Sequence, residues 1–576
     1  MRRVAPAIFV LSALTAAQPV RPDDPPNSAL KERWNRIGTT DFELYTNAGD
    51  TAAREALNHL QQVRGFFLKA SPLPLLDQFP VRIVLFKAPE QFARYTPSSG
   101  QRAFFVNSPK RDYIVMADSP GDYQYAIHEY MHLIVRHSGL RLPTWLNEGW
   151  ADVYSTLRPV SDGVAVGDLV PNRVQTLQSG QWLDIDTLTT VDSHSPIYNG
   201  KGPTGMFYAE SWALAHMLFL APDYSDNFPK FLGAIHRGKD FTESCQLAFG
   251  KTPAQVYDDL RKYFERKKMF GKVFEAPLGK KGSLPEITRV DPFDVRLMLA
   301  DLSGAVGRFD DARKDYAELA KDAANHYQVA ESLGYLAIAQ RDYPSARTEF
   351  EKAFAAGDPD PRMCVQLAFL EQTYKQPPAT IVAPLERALQ SKPDYMDALL
   401  QLGLMKIAAR EYRTGVDELM KVSQIKPEQA TTVYSALAYG YLQLGDLPRA
   451  RLDANTAKQY TRDATQLKSL DAMIALIDAR AASPLAPKPG ETTQRAEGAL
   501  RQIDCSGGGN KMVLTIGNKL MAFDLPDIKS VELVQKGDIA PKMGCGPQQP
   551  VWMTVEYAPA TVVDKTSDGI VRRIEY

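Results

Sequence analysis

Residues 128 to 132 read His-Glu-Tyr-Met-His, a spacing that can do metal chemistry. On a helix, His128 and His132 lie one turn apart and project from the same face, so both imidazoles can bind one metal ion. Glu129 stands next to that face and can reach a water molecule bound to the metal. The spacing predicts a hydrolytic zinc site with Glu129 as general base. The alternative is a chance pattern on a buried helix, which a chain of 576 residues with 8 histidines would contain on the order of 0.01 times.

A candidate for a third ligand follows on a second predicted helix. Catalytic zinc takes three protein ligands and leaves the fourth position open for water. In the stretch LPTWLNEGWADVYSTL, Pro143 can open a helix, and Glu148 stands sixteen residues after His132. A hairpin of two helices can bring Glu148 back to the histidine pair. Asp152, one turn beyond, can accept the free ring N–H of a ligand histidine and fix its tautomer.

The elements around this stretch predict an α+β domain. Apolar runs of strand length occur at residues 41–46, 81–86, 102–106 and 112–117, and a helical pattern covers residues 51–69. A small mixed sheet therefore leads into the helix that carries the histidines. Residues 159–205 are rich in Gly, Ser, Asp and Pro and are predicted as long loops, and helices follow to about residue 268.

The motif His-Glu-x-x-His followed by WLNEGWA resembles the gluzincin zinc metallopeptidases. It is more closely similar to the peptidase-MA-like domains of exported bacterial proteins, which often precede helical repeats. The resemblance covers roughly residues 36–268, and its specific motifs lie between residues 128 and 152. It implies a peptidase that uses Zn²⁺, with His128, His132 and Glu148 as ligands and Glu129 as base.

The resemblance also implies a residue that stabilises the oxyanion. Gluzincins of the aminopeptidase branch use a tyrosine at the start of a later helix, and Tyr208 in MFYAESWALAHML is placed similarly. His216 is a rival, because the thermolysin branch uses a histidine. The Gly-x-Met-Glu-Asn stretch of the aminopeptidase branch is missing upstream of His128, which argues for an endopeptidase or another specificity. The strand at residues 102–106 can instead be the sheet edge along which an extended peptide lies.

The remainder of the chain predicts an α-solenoid and a small β domain. After a linker at residues 269–291, three prolines recur every 34 residues within residues 292–480, a period that resembles tetratricopeptide repeats. Small residues recur with the same period, which lets the two helices of a pair approach closely. The alternative is a helical bundle without repeats. A second linker at residues 481–494 precedes strand-like runs in residues 495–576. The prolines are Pro359, Pro393 and Pro427, and the small residues include Ala312, Ala346, Gly334, Gly403 and Gly415.

The N-terminus and the cysteines predict an exported protein. Residues 1–17 have a basic start, an apolar stretch and small residues before Gln18, as a secretory signal peptide does. Residues 18–35 are rich in Pro and Asp and are predicted to be mobile. Export permits a disulfide, which Cys505 and Cys545 could form, while Cys245 and Cys364 are predicted to be buried thiols.

Three functions remain open at this point. The leading one is an exported zinc-dependent peptidase that acts on a peptide or protein substrate. The second is a binding scaffold whose repeats hold a protein partner and whose peptidase domain is vestigial. The third is a purely structural envelope protein. A net charge of -1 gives no reason to expect nucleic acid as a partner, and no apolar run is long enough for a transmembrane helix.

Overall fold

A computed structural model describes most of the chain. It covers residues 27–70, 75, 79–96, 101–119, 121–160, 163–265, 269, 271–275, 285–322, 326–481, 492–506, 510–525, 533–535, 544–560 and 567–576. The predicted signal peptide lies outside these residues. Contacts divide the chain into two compact units, Met1–Pro393 and Asp394–Tyr576. That boundary falls inside the range predicted for the repeats, and the predicted domain limits stay predictions.

The first unit begins with a mixed sheet. Its early strands and helices are β1 (Asn35–Gly38), β2 (Phe42–Thr46), α1 (Asp50–Ala70), β3 (Val81–Phe86), α2 (Pro89–Ala93), β4 (Ala103–Asn107) and β5 (Asp112–Ala117). Strands β2, β3 and β5 run parallel, while β4 pairs antiparallel with β5 and β1 with β2. Strands β2 to β5 and α1 lie within one residue of the predicted ranges.

Part of the segment predicted to be mobile is ordered. Trp34 is buried, and its indole N–H donates to the carbonyl oxygen of Ala29 at 2.8 Å. Strand β1 then begins at Asn35 and joins the sheet. The prediction is therefore wrong for residues 28–35, because one buried tryptophan outweighs the polar composition around it.

Two helices carry the histidines and Glu148. They are α3 (Gln124–His137) and α4 (Thr144–Ser155), and they pack against each other. The loops predicted over residues 159–205 contain four short elements, so that prediction is wrong in part. Pro171 and Asp184 start two of these helices, which are too short to show a clear apolar period. The four elements are β6 (Arg158–Val160), β7 (Gly163–Val166), α5 (Pro171–Ser179) and α6 (Ile185–Thr190).

Five helices complete the packing behind the site. The longest, α7, packs on both α4 and α5 and is buried along most of its length. The five helices are α7 (Thr204–Leu220), α8 (Pro222–Ser225), α9 (Phe228–His236), α10 (Phe241–Phe249) and α11 (Pro253–Glu265).

The predicted linker at residues 269–291 contains two strands. Strand β8 (Lys272–Phe274) pairs with β7, and β9 (Thr288–Arg289) pairs with β1. The described sheet therefore has the order β4-β5-β3-β2-β1-β9. One face packs on α1 and α3, and the other packs on the next helix, α12 (Pro292–Ala305). Helix α12 thus covers apolar side chains of the sheet that would otherwise meet water.

Helix pairs follow α12 within the first unit. They are formed by α12 with α13 (Phe309–Asp322), α14 (Tyr327–Ala339) with α15 (Tyr343–Ala355), and α16 (Pro361–Thr373) with α17 (Pro378–Ser391). At Gly334 the ring of Phe350 on the paired helix occupies the space that a Cβ atom would need. This close approach is what the phase of small residues predicts, and the array is a helical solenoid consistent with tetratricopeptide repeats.

The second unit contains further helices, α18 (Met396–Ala408), α19 (Tyr412–Met420), α20 (Pro427–Leu444), α21 (Leu447–Tyr460) and α22 (Ala464–Ala481). Gly403 of α18 faces Gly415 of α19, and a Cβ atom on Gly403 would lie 3.0 Å from the Gly415 carbonyl oxygen. Among the described residues, no helix combines the length and the apolar character that crossing a membrane requires.

A small barrel-like domain forms the rest of the second unit. Its strands are β10 (Gln494–Asp504), β11 (Asn510–Ile516), β12 (Lys519–Leu525), β13 (Leu533–Val534), β14 (Gly546–Pro547), β15 (Trp552–Pro559) and β16 (Gly569–Glu575). The order β11-β12-β16-β15-β10 closes because β10 also pairs with β11. A disulfide joins Cys505 to Cys545 with a Cα–Cα distance of 5.8 Å, and Cys245 and Cys364 are buried free thiols. The predictions for all four cysteines are confirmed.

Candidate metal centre

The two histidines and Glu148 meet where α3 packs on α4. The Nε2 atoms of His128 and His132 lie 3.2 Å apart. Oε2 of Glu148 lies 3.4 Å from Nε2 of His128 and 3.6 Å from Nε2 of His132. Among the described residues, no other group of three or more His, Cys, Asp or Glu residues brings its ligand atoms within 4.8 Å of one another.

This triangle of ligand atoms has the size that zinc requires. Bonds of about 2.0–2.1 Å at tetrahedral angles place neighbouring ligand atoms about 3.3 Å apart. The observed separations of 3.2, 3.4 and 3.6 Å bracket that value. The imidazoles of His128 and His132 keep 16% and 17% of their side-chain surface exposed, so solvent can reach them. The residues therefore fit a zinc ion with an open position.

Electrostatics also favour a positive charge at His128. Its Nδ1 atom lies 2.9 Å from Oδ1 of Asp152, which assigns the N–H to Nδ1 and directs the lone pair of Nε2 toward Glu148. Burial lowers the pKa of His128, but the contacts with Asp152 and Glu148 outweigh it and raise the pKa well above its ordinary value. A cation at Nε2, either a proton or a metal ion, relieves the repulsion between the two facing acceptors.

Arg173 of α5 completes this arrangement. Its Nε atom donates to Oδ2 of Asp152 at 2.7 Å, so both carboxylate oxygens of Asp152 are engaged. Burial raises the pKa of Asp152, yet His128 and Arg173 lower it below the ordinary value overall. Asp152 is therefore an anion that holds the tautomer of His128. Sequence reasoning missed Arg173, because its short helix lies in the segment predicted as loops.

Glu129 faces the edge strand of the sheet. Its Oε2 atom accepts the backbone N–H of Phe105 at 3.0 Å, and Phe105 belongs to β4. Burial raises the pKa of Glu129, and the net shift remains upward although both histidines oppose it. A carboxylate with a raised pKa is a better proton acceptor near neutral pH.

Two tyrosines lie beside the site. The hydroxyl of Tyr198 donates to Oε1 of Glu148 at 2.9 Å, so the tyrosine that contacts a candidate ligand is Tyr198. The predicted Tyr208 lies next to it, with ring centroids 6.1 Å apart, and the Arg173 guanidinium lies 5.1 Å from the Tyr208 ring. Burial raises the pKa of both hydroxyls, so both are protonated donors. No pattern around Tyr198 in the sequence distinguishes it.

His216, the rival for the oxyanion role, is engaged elsewhere. Its Nδ1 atom lies 2.8 Å from the Tyr263 hydroxyl, and its Nε2 atom lies 2.9 Å from the Gly167 carbonyl oxygen. Burial lowers the pKa of His216 to about 4. The imidazole is therefore a neutral, buried structural group.

Gly149 allows α4 to approach α7. A Cβ atom at this position would lie 2.8 Å from Cβ of Ala215 and would overlap the carbonyl oxygen of Ser211. Both of those residues belong to α7. The backbone of α4 therefore rests directly on α7 at the residue that follows Glu148.

Among the comparisons with known proteins, only the search of solved structures finds similar proteins. No protein-family model matches the chain, and no curated protein matches it. Among solved structures, the chain is similar to YrrB, a TPR (tetratricopeptide repeat) protein with an unusual peptide-binding site. The identity is 16%, the match covers 31% of this chain and 91% of that chain, and the TM-score is 0.28.

Two further structures have similar values. MamA protein is 19% identical, with 29% of this chain and 91% of that chain covered and a TM-score of 0.25. A thermophilic TPR protein in Thermus thermophilus is 18% identical, with 32% of this chain and 99% of that chain covered and a TM-score of 0.21.

Proposed function

We propose that this chain is an exported zinc-dependent peptidase of the gluzincin type. The observation that supports the proposal is the triangle of ligand atoms from His128, His132 and Glu148, with sides of 3.2 to 3.6 Å. In such a site zinc supplies Lewis acidity, which activates water and polarises a carbonyl group. The remaining steps belong to side chains and backbone of this chain.

Glu129 is the proposed general base. It takes a proton from the attacking water and returns it to the departing amine, as a carboxylate with a raised pKa can do near neutral pH. Asp152 and Arg173 hold His128 in one tautomer throughout. The hydroxyl of Tyr208 is a protonated donor beside the site and can stabilise negative charge that develops on the carbonyl oxygen, whereas the hydroxyl proton of Tyr198 is donated to Glu148.

Strand β4 is the proposed binding edge for an extended peptide. The N–H of Phe105 points to Glu129 and therefore away from β5. In an antiparallel pair, backbone groups alternate in direction, so Ala103 and Asn107 direct theirs to the same side as Phe105. A substrate that adds to this edge as a further strand would pass the general base.

Export is part of the proposal. A disulfide such as Cys505–Cys545 persists in oxidising compartments and is rare in the cytosol. N-terminal sequencing of the secreted or periplasmic fraction should begin at Gln18. A mature chain that begins at Met1 and stays with the cytosolic fraction would contradict export.

Elemental analysis and one substitution test the peptidase. The purified chain should retain about one zinc, and Glu129→Gln should keep it while losing hydrolysis of unfolded casein, because glutamine cannot accept the proton. Glu90→Gln, on an exposed glutamate of α2, is the matched control and should cleave at the parental rate. Zinc below about 0.2 per chain, or parental cleavage by Glu129→Gln, would contradict the proposal.

The second candidate is a protein-binding scaffold with a vestigial peptidase domain. The observation that favours it is the array of helix pairs, because stacked pairs form an extended surface for a partner. The two candidates differ in one result. A scaffold would bind its protein partner equally well with and without zinc and would cleave neither casein nor that partner.

A further inference from the structure

The hairpin of β4 and β5 connects the proposed base to the helical repeats. At one end, the N–H of Phe105 in β4 is held by Oε2 of Glu129 at 3.0 Å. Five residues later, Lys110 lies in the turn before β5. A turn lysine at a protein surface normally keeps its ammonium group in water. Lys110 does not, because it is only 6% exposed.

The ammonium group of Lys110 is buried between helices of the first two pairs. Its Nζ atom lies 3.0 Å from Oδ2 of Asp301 on α12. It also lies 3.2 Å from Oε2 of Glu331 and 2.8 Å from Oγ of Ser332, both on α14. The hairpin therefore joins the sheet to two separate repeat helices through a single side chain.

The partners of Lys110 are themselves fixed. Asp301 and Glu331 are buried, and the second oxygen of Asp301 accepts the hydroxyl of Tyr316 at 2.8 Å. Burial raises the pKa of Asp301, but Lys110 and the hydrogen bonds outweigh burial and lower it overall, so the carboxylate is ionised. Loss of the ammonium group would leave buried negative charge without compensation, and the turn would lose its place between the helices.

The other end of the turn is tied to the helix of the histidines. Oδ2 of Asp112, the first residue of β5, lies 2.8 Å from Nε2 of His137 at the end of α3. The hairpin thus contacts α3 at Glu129 and at His137, and it contacts the repeats at Lys110. A displacement of the turn would therefore shift the backbone of β4.

We propose that Lys110 is a positioning residue that makes the placement of Phe105 against Glu129 depend on the first two helix pairs. Removal of its charge frees the turn from α12 and α14 and lets β4 move at the base. The role of Glu129 rests on the proposed function, whereas the mechanical link from Lys110 to Phe105 does not.

Residue-resolved hydrogen exchange of the full chain tests the link. Lys110→Met keeps the length of the side chain and removes the charge, so exchange of the Phe105 amide should be faster by about tenfold or more. Amides of the central strand β3 should keep their parental rates. Lys110→Arg, which restores the charge, should bring Phe105 to within about threefold of the parent.

Three results would overturn the proposal. They are an unchanged Phe105 rate in Lys110→Met, an equal acceleration in β3, and a Lys110→Arg chain that exchanges as fast as Lys110→Met. Should Lys110→Met fail to fold, Ser332→Ala removes only one of the three contacts. It should still accelerate Phe105 by about threefold, and an unchanged rate would refute the link.

Kinetics separate this inference from the proposed function. In a hydrolysing chain, kcat per bound zinc should fall by about tenfold in Lys110→Met while zinc per chain stays parental, because the base loses its orientation. An unchanged kcat would overturn the catalytic consequence. If the parental chain hydrolyses nothing, the proposed function fails, and exchange at Phe105 still decides the link.

Discussion

Asp152 lies 2.9 Å from Nδ1 of His128 and joins that imidazole to Arg173, which approaches its other oxygen at 2.7 Å. These two contacts fix three side chains that come from three separate helices, α3, α4 and α5. It is the arrangement that a metal-binding imidazole requires, since the ring must present a bare nitrogen in a constant direction.

Replacement of Asp152 should weaken metal binding. Asp152→Asn removes the negative charge opposite His128 and Arg173, so zinc affinity should fall by about 10- to 100-fold. Competition with a chelator measures the change. Asp168→Asn is a matched control, because Asp168 is half exposed and pairs with Arg158. Parental affinity in Asp152→Asn would show that the carboxylate has no role in holding zinc.

Replacement of Tyr208 and replacement of Tyr198 should affect turnover and zinc binding differently. Tyr208→Phe should lower turnover by about 10²-fold with zinc content unchanged, because a lost oxyanion donor acts on the transition state. Tyr198→Phe should weaken zinc binding as well, since its hydroxyl donates to Oε1 of Glu148 at 2.9 Å. Zinc titration beside steady-state kinetics distinguishes them. A drop of less than about threefold for Tyr208→Phe would make that hydroxyl structural.

Glu210 should make stability depend on pH. It is fully buried on α7, and its Oε1 atom accepts the Leu183 N–H at 2.6 Å. Burial raises the pKa of Glu210 from 4.5 to about 8. The folded chain therefore keeps a proton that the unfolded chain releases between these values, and stability falls as pH rises through that range.

Substitution of Glu210 should remove this loss of stability at higher pH. Glu210→Gln keeps an oxygen that accepts the Leu183 N–H and has no ionisable proton. Relative to the parental chain, its thermal unfolding midpoint should therefore be slightly higher at pH 5 and clearly higher at pH 8. The gain in unfolding free energy at pH 7 is up to about 3 kcal/mol. Calorimetry at the two pH values measures it, with Glu90→Gln as control. Equal midpoints for parent and variant at pH 8 would contradict the prediction.

Removal of the helix pairs should prevent the sheet region before them from folding. A chain that ends at residue 268 lacks β9 and α12, which exposes a face of the sheet that includes Phe86, Phe104 and Val115. We expect this chain to be insoluble, while a chain that ends at residue 391 keeps α12 to α17 and stays soluble. The soluble fraction after expression is the measurement. A soluble, folded chain of 268 residues would show that α12 is dispensable.

The sequence predicts the site and the sheet where signals are local. Strands β2, β3 and β5 are buried and mostly apolar. His128, Glu129 and His132 belong to one helical turn. Strand β10 gives no clear signal because its residues QRAEGALRQID alternate small and charged side chains, which resembles a linker. Strand β16 also lacks a strong apolar run, because two arginines interrupt its sequence GIVRRIE.

Contacts between distant segments leave no such signal. Arg173 reaches the site from the short helix α5, and Tyr198 reaches it from the turns between α6 and α7. No sequence pattern marks either residue. The pairing of Asn35 with Arg289 and the burial of Lys110 against Asp301 join segments far apart in the chain. Contacts of this kind depend on tertiary packing, and a single sequence contains no local pattern that predicts them.

The contact at Gly149 has a consequence for the backbone that carries Glu148. Because the backbone of α4 touches α7 directly at Gly149, no side chain lies between the two helices to deform, and the backbone next to Glu148 is held close to α7. Even the methyl group of an alanine at residue 149 would force α4 and α7 apart and displace the backbone of Glu148 with α4.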